Sequence, residues 1–504
     1  MSSKFKPNKE HERFFNTDIG RVEKMNKDDF NRFSESNFSH IPVYKELVAD
    51  LISPLYVYSN FYELENTFLL ESAKTHETKG RYSIMSLPAV KRYDFYEDEL
   101  EIKSKEKSSV QRVIDPFDYI EKLTKDYSAP KIKDLPNFLG GLVGYFTYES
   151  FKFVEPKLHF QQSKIPLISL FQCDEIIVFD NFKGTFYIVV NTTDKTEHGY
   201  IQANKRIEEI ERAIFSLQPS VSPNFKKSID AIPSESNVNK KEFLKQVDVL
   251  KENIISGEIM QAVLSREETF NGYFDPFTLY RSLRLINPSP YMYFLNFGEF
   301  RVIGSSPEIL VQDINDQVII RPIAGTRKRG SSIEEDLSNK IELLEDEKEK
   351  SEHMMLVDLA RNDLSKVCEP GSVQVDEMMI VEKYSHVMHM TSNVIGRKIE
   401  NKTQVDCLKA AIPAGTLSGA PKIRAMELLS ELEGRPRGIY GGAVGYLGYN
   451  GSLDTAIVIR TAIHYKDCVQ VGIGAGIVHD SVPENEWNET EAKLAVFREV
   501  LKYK

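Results

Sequence analysis

The sequence predicts an α+β protein whose large antiparallel β-sheets form an α/β sandwich with flanking helices. Strand-like and helical segments are mixed along the chain, without the regular β-α-β alternation of a parallel sheet. A β-hairpin is indicated where the apolar runs 176–180 and 185–190 flank a short turn that ends in Gly184. A Gly-Gly-x-Val-Gly-Tyr sequence at 140–145 recurs at 441–446, which indicates either an internal duplication with two equivalent bends or a coincidence.

The first half of the chain is predicted to contain a polar segment, a strand-rich region and a linker. Residues 1–40 are polar, and we expect them to be loosely attached to the rest of the chain. Hydrophobic periodicity predicts these further elements: strands at 55–58, 67–72, 81–87 and 138–146, and helices at 115–126 and 200–217. A Ser- and Pro-rich stretch, 218–239, predicts a linker between an N-terminal region, 41–217, and a C-terminal domain, 240–504.

The C-terminal domain is predicted to begin with a helix at 241–256 that ends before Gly257. The same periodicity predicts the following later elements: strands at 260–266, 291–297, 317–326, 457–463 and 468–478, and helices at 349–363 and 489–501. The strand at 317–326 leads into a basic loop at 327–330.

Composition narrows the class of protein. With 504 residues, 41% hydrophobic and 28% charged, the chain has enough apolar residues for a large core. The formal net charge of -11 argues against nucleic acid as a main partner, because phosphate binding needs a basic surface. Four scattered cysteines without a CxxC pair indicate neither a zinc site nor a disulfide framework. Because no signal peptide or membrane-spanning run is visible, we expect a soluble, cytoplasmic protein.

Two pairs of glutamates have the same spacing. Glu349 and Glu352 lie three residues apart in one predicted helix, and Glu486 and Glu489 repeat this spacing near the C-terminus. Residues three apart share a helix face, so two such faces could converge on one hard divalent cation. The alternative is a pair of solvated acidic faces. The pattern favours Mg²⁺ among metals, since Mg²⁺ prefers carboxylate and water ligands.

Several other polar or glycine-rich features have a functional and a structural interpretation. The turn at 413–422 superficially resembles a phosphate loop but lacks the closing Gly-Lys-Ser/Thr. Residues 474–476 could present backbone N–H groups to a carboxylate, or could be a packing bend. Arg460, in an apolar run, needs either a carboxylate ligand or an ion-pair partner. Either His386 or His389 could be a general acid or base, although a lone histidine is often structural.

Dense motifs carry a family resemblance. They are Pro322-Ile323-Ala324-Gly325-Thr326 and the stretches 352–363, 415–422, 440–446, 454–460, 474–478 and 489–493. Through them the chain resembles the chorismate-utilising enzymes, and among these the family of anthranilate synthase large subunits (component I). The match is dense from Gln261 to Lys493, and looser in the N-terminal third, where 69–72 and 140–145 carry it.

The resemblance implies an activity and a set of site residues. The implied reaction converts chorismate and ammonia to anthranilate and pyruvate with Mg²⁺ as cofactor, the first committed step of tryptophan biosynthesis. Glu352 and Glu489, with Glu349 and Glu486 beside them, would hold the metal against the ring carboxylate. The positions matching the substrate site are Tyr440, Arg460, Gly474, Ala475, Gly476, Gly415, Thr416 and Gln261. His389 matches the catalytic histidine, and Thr326 and Glu308 match positions that line the pocket.

Two residues separate this reaction from those of sister enzymes. Ala324 stands where aminodeoxychorismate synthases usually carry a nucleophilic lysine, and alanine cannot act as a nucleophile. Gln261 stands where isochorismate and salicylate synthases carry a water-activating lysine, and glutamine is not basic. Two alternative functions stay open. One is aminodeoxychorismate synthase component I, against which Ala324 argues. The other is a non-catalytic tryptophan-binding regulatory subunit, against which the intact catalytic positions argue.

The resemblance also implies a protein partner and an inhibitor. No cysteine has the context of a glutamine amidotransferase nucleophile, so a separate amidotransferase subunit (component II) is expected to supply ammonia from glutamine. Tryptophan is expected to act as feedback inhibitor, inserted between the two glycine-bent strands. The residues matching its site are Leu70, Glu71, Ser72, Pro290, Tyr291, Met292, Val444, Gly445 and Tyr446.

Overall fold

The computed structural model describes residues 24–72, 80–218, 221–222, 224–229, 232–383 and 387–504. Its strands, in chain order, are β1 Ile41–Val48, β2 Thr67–Glu71, β3 Tyr82–Ser86, β4 Lys91–Phe95, β5 Glu99–Ser104, β6 Ser108–Arg112, β7 Gly141–Phe146, β8 Ile168–Cys173, β9 Glu175–Asp180, β10 Thr185–Thr192, β11 Ser234–Ser236, β12 Gln261–Asn271, β13 Tyr291–Asn296, β14 Arg301–Ser306, β15 Ile309–Ile314, β16 Gln317–Ile320, β17 Ile323–Lys328, β18 Gln374–Lys383, β19 Val387–Arg397, β20 Gly419–Ala420, β21 Ala443–Gly448, β22 Leu453–Ile457, β23 Thr461–His464 and β24 Cys468–Ile477.

The helices complete the element order. They are α1 Lys27–Ser34, α2 Pro54–Tyr58, α3 Pro116–Asp126, α4 Glu197–Phe215, α5 Lys240–Ile255, α6 Pro276–Ile286, α7 Ile333–Glu345, α8 Glu347–Ser365, α9 Gln404–Ala411, α10 Lys422–Glu433 and α11 Pro483–Val500, with short 3₁₀ turns at Tyr148–Phe153 and Gly415–Leu417. Within the described part of the chain, no helix is both long and apolar enough to cross a membrane.

Two 12-stranded antiparallel sheets organise the described residues. The first has the order β1-β10-β9-β3-β2-β13-β14-β23-β24-β12-β11, with β20 beside β12. The second has the order β17-β19-β16-β15-β22-β21-β7-β8-β4-β5-β6, with β18 beside β19. Each sheet joins strands from both sides of 218–239, through β2 with β13 and β7 with β21. The division into 41–217 and 240–504 stays a prediction, and it does not separate the sheets.

Three apolar layers hold the sheets and helices together. Between the two sheets lies a core that includes Phe68, Tyr145 and Leu295. On the outer face of the first sheet, α1, α4, α6 and α11 cover a second core, and on the outer face of the second sheet α3, α8 and α9 cover a third. A sheet that is apolar on both faces must be covered on both, so the result is a sandwich with helices outside. The predicted fold class is confirmed.

Several local predictions are confirmed because their signals are local. The Asp115 carboxylate accepts from the backbone N–H groups of Phe117 and Asp118 and so begins α3. The predicted hairpin is β9 with β10. The predicted terminal helix begins earlier than expected, at Pro483, which is suited to the first helical turn.

Four local predictions are wrong. Residues 55–58 form α2 rather than a strand, because Ser53 caps the helix and Pro54 occupies its first turn. The predicted strand at 317–326 is interrupted at Pro322, which cannot donate to the ladder, and both parts pair with β19. The predicted strand at 457–463 is also two strands, one in each sheet. The polar N-terminal segment is firmly packed from Lys24 onwards, with Met25 and Phe30 buried, whereas residues 1–23 lie outside the described residues.

The repeated glycine motif has a structural basis. The two copies pair with each other as β7 and β21, and Gly144 lies directly opposite Gly445. A Cβ at Gly144 would overlap the carbonyl oxygen of Ser169, and a Cβ at Gly445 would overlap that of Asp454. Both positions therefore need glycine because a neighbouring backbone approaches closely. An internal duplication stays a prediction.

Candidate active site

The two glutamate pairs lie on two helices, α8 and α11. Asp346 begins α8 by accepting from the N–H groups of Lys348 and Glu349. Glu349 and Glu352 follow in the first turns of α8, and Glu486 and Glu489 lie in the first turns of α11. Both Glu-x-x-Glu spacings are therefore helical, as the sequence indicated.

The acidic groups of the two helices interact electrostatically, because Glu489 of α11 contributes to the raised pKa of Glu352 of α8. Burial raises the pKa of Glu352, and the nearby carboxylates of Glu349 and Glu489 raise it further, against the ammonium of Lys348. Burial likewise raises the pKa of Glu486, to which Glu489 also contributes. Nearby carboxylates thus oppose ionisation of Glu352 and Glu486. This oxygen-rich, negatively charged donor set suits a hard cation such as Mg²⁺.

In this structure three of these carboxylates form ion pairs with basic side chains. Arg327 lies 3.1 Å from Glu349, Lys493 2.7 Å from Glu489, and Lys348 3.8 Å from Glu352. Among the residues described, no three acidic, histidine or cysteine side chains are close enough together to hold a metal ion. Metal binding would therefore require side-chain rotation and displacement of these basic groups. Sequence reasoning did not assign a role to Lys493, although its position four residues after Glu489 is a helical ion-pair signal.

His389 is held by the strand beside it. In the β17–β19 pairing, Thr326 lies opposite His389, and the His389 Nδ1 is 3.0 Å from the Thr326 Oγ1 and 3.1 Å from the Gly325 carbonyl oxygen. A carbonyl can only accept, so Nδ1 carries the hydrogen and Nε2 carries the lone pair of the neutral ring. Gly325, with a φ of 66°, forms a bulge beside Glu349. The other candidate, His386, lies outside the described residues.

Glu308 and Thr416 line a small cavity. It has a volume of about 30 Å³, bounded by apolar side chains of α8 and α9 and by Gly415. The Thr416 hydroxyl donates to the Glu308 carboxyl at 3.3 Å. Burial raises the pKa of Glu308 to about 8. Near pH 7 the carboxyl is therefore mostly protonated and can donate a hydrogen bond.

Tyr440 lies flat against the glycines of β24. A Cβ added at Gly472 would be 2.5 Å from the Tyr440 ring, and one at Gly474 would be 2.9 Å from its hydroxyl oxygen. A Cβ at Gly476 would lie 3.4 Å from the side-chain nitrogen of Gln261. The glycines therefore leave room for these two side chains. The side chain of Ala475 points to the opposite face, into the core under α5 and α10.

The 474–476 backbone also adjoins the glutamate helices. The Lys493 ammonium that pairs with Glu489 donates to the Gly474 carbonyl oxygen at 2.6 Å. Tyr440 is thus connected through Gly474 and Lys493 to Glu489 of α11, and Gln261 lies on the neighbouring strand beside Gly476. Two predicted substrate positions, Tyr440 and Gly474, therefore lie in one region with the predicted metal position Glu489.

Arg460 lies in the crossover between the sheets, not inside a strand. It follows the end of β22 in the second sheet and directly precedes β23 in the first. Its φ of 51° is unusual for a side chain with a Cβ and is typical of functional or strained positions. The guanidinium lies 3.5 Å from the Asn287 side-chain oxygen. Against the larger effect of burial, its positive charge lowers the pKa of Glu308. The crossover therefore directs this arginine towards the region of Glu308.

Four of the predicted inhibitor positions share the inter-sheet core. Leu70, Tyr291, Val444 and Tyr446 pack there, and the Tyr291 hydroxyl donates to Asp454 at 2.8 Å across the two sheets. Gly445 lies in the same strand as Val444 and Tyr446. Ser72 follows the end of β2, and Pro290 immediately precedes β13.

Glu71 and Met292 lie on the other face of the first sheet. They are paired across β2 and β13, Met292 is buried under the helices, and Glu71 forms an ion pair with Arg284 of α6. Side chains alternate between the faces of a strand, so Leu70 and Glu71 cannot both face the inter-sheet core. These two predicted inhibitor contacts are therefore not brought together with the other positions.

Comparisons with known proteins show the family to which the chain belongs. The profile of the chorismate binding enzyme family matches residues 65–499. Anthranilate synthase component 1 of Pseudomonas aeruginosa is 42% identical over 488 residues, which cover 94% of this chain and 98% of that protein. Anthranilate synthase component I from Streptococcus pneumoniae, a crystal structure, has a TM-score of 0.75 and 33% identity, and the match covers 90% of this chain and 99% of that one.

A more distant structure shares the fold alone. The menaquinone-specific isochorismate synthase of Escherichia coli has a TM-score of 0.68 at 18% identity, and the match covers 94% of this chain and 98% of that one. The resemblance seen in the sequence is confirmed, and the chain belongs to the chorismate binding enzyme family, among its anthranilate synthase component 1 members.

Proposed function

We propose that the chain is the large subunit of an anthranilate synthase, converting chorismate and ammonia to anthranilate and pyruvate in the cytoplasm. One observation carries the proposal: Thr326 and Gly325 hold His389 beside Glu349 of α8, in a chain whose match to anthranilate synthase component 1 covers 94% of its length. Ala324 in β17, opposite Met390, offers no nucleophile at the position where aminodeoxychorismate synthases usually carry a lysine. Ammonia is therefore favoured as the nucleophile.

The proposed mechanism assigns a role to each group. Glu352 and Glu489 would hold Mg²⁺, which when bound supplies positive charge for the ring carboxylate of chorismate. Arg460 and the β24 backbone would bind the carboxylate of the enolpyruvyl group. His389 would first take up a proton at Nε2 from solvent. The resulting imidazolium would donate that proton to the leaving hydroxyl, and the neutral ring would then assist elimination of the enolpyruvyl group as a base. Protonated Glu308 would donate a hydrogen bond in a pocket from which bulk water is excluded.

The decisive measurement is the fluorescent product formed from chorismate, Mg²⁺ and ammonium by the purified chain. Anthranilate is the expected product. Consumption of chorismate without anthranilate would favour a sister synthase, and no consumption would favour a non-catalytic tryptophan-binding subunit.

The nitrogen source gives a second prediction. We expect the isolated chain to form anthranilate at least about tenfold faster with ammonium than with glutamine, because none of the cysteines has an activated nucleophilic context. Cys173, Cys368 and Cys407 are buried, and burial raises the pKa of each thiol. The measurement is the initial rate with each nitrogen donor at the same pH. Equal rates would contradict the need for a component II glutaminase.

Feedback inhibition by tryptophan is proposed for the inter-sheet group around Leu70, Tyr291, Val444 and Tyr446. Tryptophan bound there would press on β21 and β22, which lead into the crossover that carries Arg460. Because Glu71 faces the other side of the first sheet and is paired with Arg284, the amino group of tryptophan bound in the inter-sheet group would need an acceptor other than Glu71.

Ser72 tests the inhibitor site. Ser72→Phe is expected to raise the tryptophan concentration for half-inhibition by about tenfold or more, because a bulky group at the end of β2 fills space beside Leu70. The ammonium-dependent rate without tryptophan should stay close to that of the unmodified chain. The control is Ser108→Phe, which places the same ring at an exposed position in outer strand β6. Inhibition that is unchanged by Ser72→Phe would exclude this site.

A further inference from the structure

A buried arginine, Arg437, lies between α10 and β21, three residues before Tyr440. Its side chain is 2% exposed. The guanidinium forms a two-point contact with Glu433, at 2.9 Å from Nε and 2.6 Å from Nη2. Its plane also lies over the ring of Tyr148, 4.4 Å from the centroid. The charge is thus neutralised and enclosed, as a buried guanidinium requires.

The other N–H groups of Arg437 bind backbone carbonyls of two separate segments. Nη1 donates to Leu417 at 2.7 Å, and Nη2 donates to Val263 at 2.6 Å. Leu417 immediately follows Thr416, and Val263 lies two residues after Gln261. One guanidinium therefore joins the turn that borders the Glu308 cavity to the strand that carries Gln261.

The backbone beside Arg437 is held by a second buried carboxylate. Glu149, 2% exposed, accepts from the N–H of Arg437 at 2.5 Å and from that of Gly438 at 3.1 Å. Glu433 also accepts from the Ser265 N–H of β12 at 2.8 Å. The segment that leads to Tyr440 is therefore fixed from both sides.

We propose that Arg437 is a positioning residue that fixes Thr416, Gln261 and Tyr440 relative to one another in the chorismate site. The inference rests on the proposed function. The planar guanidinium has donors on three nitrogen atoms, which lets it bind Glu433 and two carbonyls in different directions. Lysine carries all its donors on one nitrogen atom and cannot reach these acceptors together. Strand pairing sets the separation of only two of the three segments. The short strand β20, which follows the turn of Thr416, pairs with Gln261 and Ala262 of β12, whereas Tyr440 lies in a loop outside the strands.

The test compares Arg437→Lys with Arg92→Lys. Arg92 is a matched control, because it is also buried, binds Asp94 at 2.8 Å and donates to the Phe297 carbonyl, yet lies in β4 and contacts no predicted substrate position. Arg437→Lys is expected to raise the KM for chorismate by about 10- to 100-fold with a smaller change in kcat, since displaced binding groups lose orientation. Arg92→Lys should leave KM unchanged while lowering the melting temperature by a similar amount.

Three further measurements make the outcome decisive. Direct chorismate binding by equilibrium dialysis should weaken in Arg437→Lys, which separates this inference from the identity of the product. If Arg437→Lys does not fold, Glu433→Gln, which leaves Arg437 in place with a neutral acceptor, should raise KM by a smaller factor. The KM for ammonium should change less than that for chorismate. A chorismate KM within twofold of the unmodified chain, or equal losses in Arg437→Lys and Arg92→Lys, would overturn the proposal.

Discussion

Glu352→Gln is expected to lower the rate of anthranilate formation by about 10³-fold at saturating Mg²⁺, a loss of about 4 kcal/mol of transition-state stabilisation. A carboxamide has nearly the shape of a carboxylate but lacks its charge, so it binds a hard cation weakly. The carboxylates of Glu349 in α8 and Glu489 in α11 both contribute to the raised pKa of Glu352, so Glu352 interacts with acidic groups of both helices. Glu489→Gln is expected to cause a similar loss.

Glu352→Gln should also change the thermal stability of the protein, which can be measured without an activity assay. Burial and neighbouring carboxylates raise the pKa of Glu352, so the folded protein binds a proton there more readily than the unfolded chain. The contribution of Glu352 to the free energy of unfolding therefore falls as the pH rises above the pKa that Glu352 has in the unfolded chain. At neutral pH the carboxylate is charged and this contribution is lost. Glu352→Gln should accordingly raise the melting temperature of the metal-free protein at pH 7, and should reduce the increase that Mg²⁺ causes.

Glu347→Gln is the control for this pair of measurements. Glu347 begins the same helix, α8, but its side chain is 85% exposed and pairs only with Lys350. Its removal should change neither the rate nor the response of the melting temperature to Mg²⁺. Full activity in Glu352→Gln, or the same Mg²⁺ response in both variants, would show that the carboxylate helices do not hold the metal.

The glutamate pairs illustrate what the sequence could predict about the site. Their spacing depends only on the helical repeat, and the caps of α3 and α8 depend on residues within four positions. Such local signals predict where helices begin and which side chains share a helix face. The family motifs then predict which of these residues belong to one site. Neither source predicted that Lys493 and Arg327 would lie among the acidic groups, because contacts between remote elements have no local signal.

The errors concern features that depend on the register and connection of the sheets. The apolar run around Arg460 predicts a single strand, but the chain leaves the second sheet after β22 and enters the first sheet at β23, and Arg460 lies between these two strands. Glu71 was grouped with Leu70, although adjacent residues of a strand face opposite sides and Glu71 reaches Arg284 of α6. Arg437 had no signal at all, because its acceptors at Leu417 and Val263 come from segments far apart in the sequence.

His389→Asn is expected to lower kcat by about 10³-fold, in the middle of the range for loss of a general acid or base. An asparagine side chain can still donate to the Gly325 carbonyl oxygen, so the packing of β17 on β19 should be retained. It cannot take up and release a proton near neutral pH, which is the property that the proposed mechanism requires of His389. The KM for chorismate should therefore change much less than kcat.

His464→Gln separates this chemistry from a structural role, because a glutamine amide can replace the Nε2 donor of a histidine as an asparagine amide can replace the Nδ1 donor. His464 is also buried in a strand, and its ring also donates to a backbone carbonyl, that of Phe274 at 2.7 Å. Both variants should lose comparable stability, since each keeps the hydrogen bond and loses part of a buried ring. Only His389→Asn should lose turnover, because Thr326 and Gly325 orient that ring beside the acidic helices. A fall in kcat of the same size in both variants would mean that His389 supports the sheet rather than the reaction.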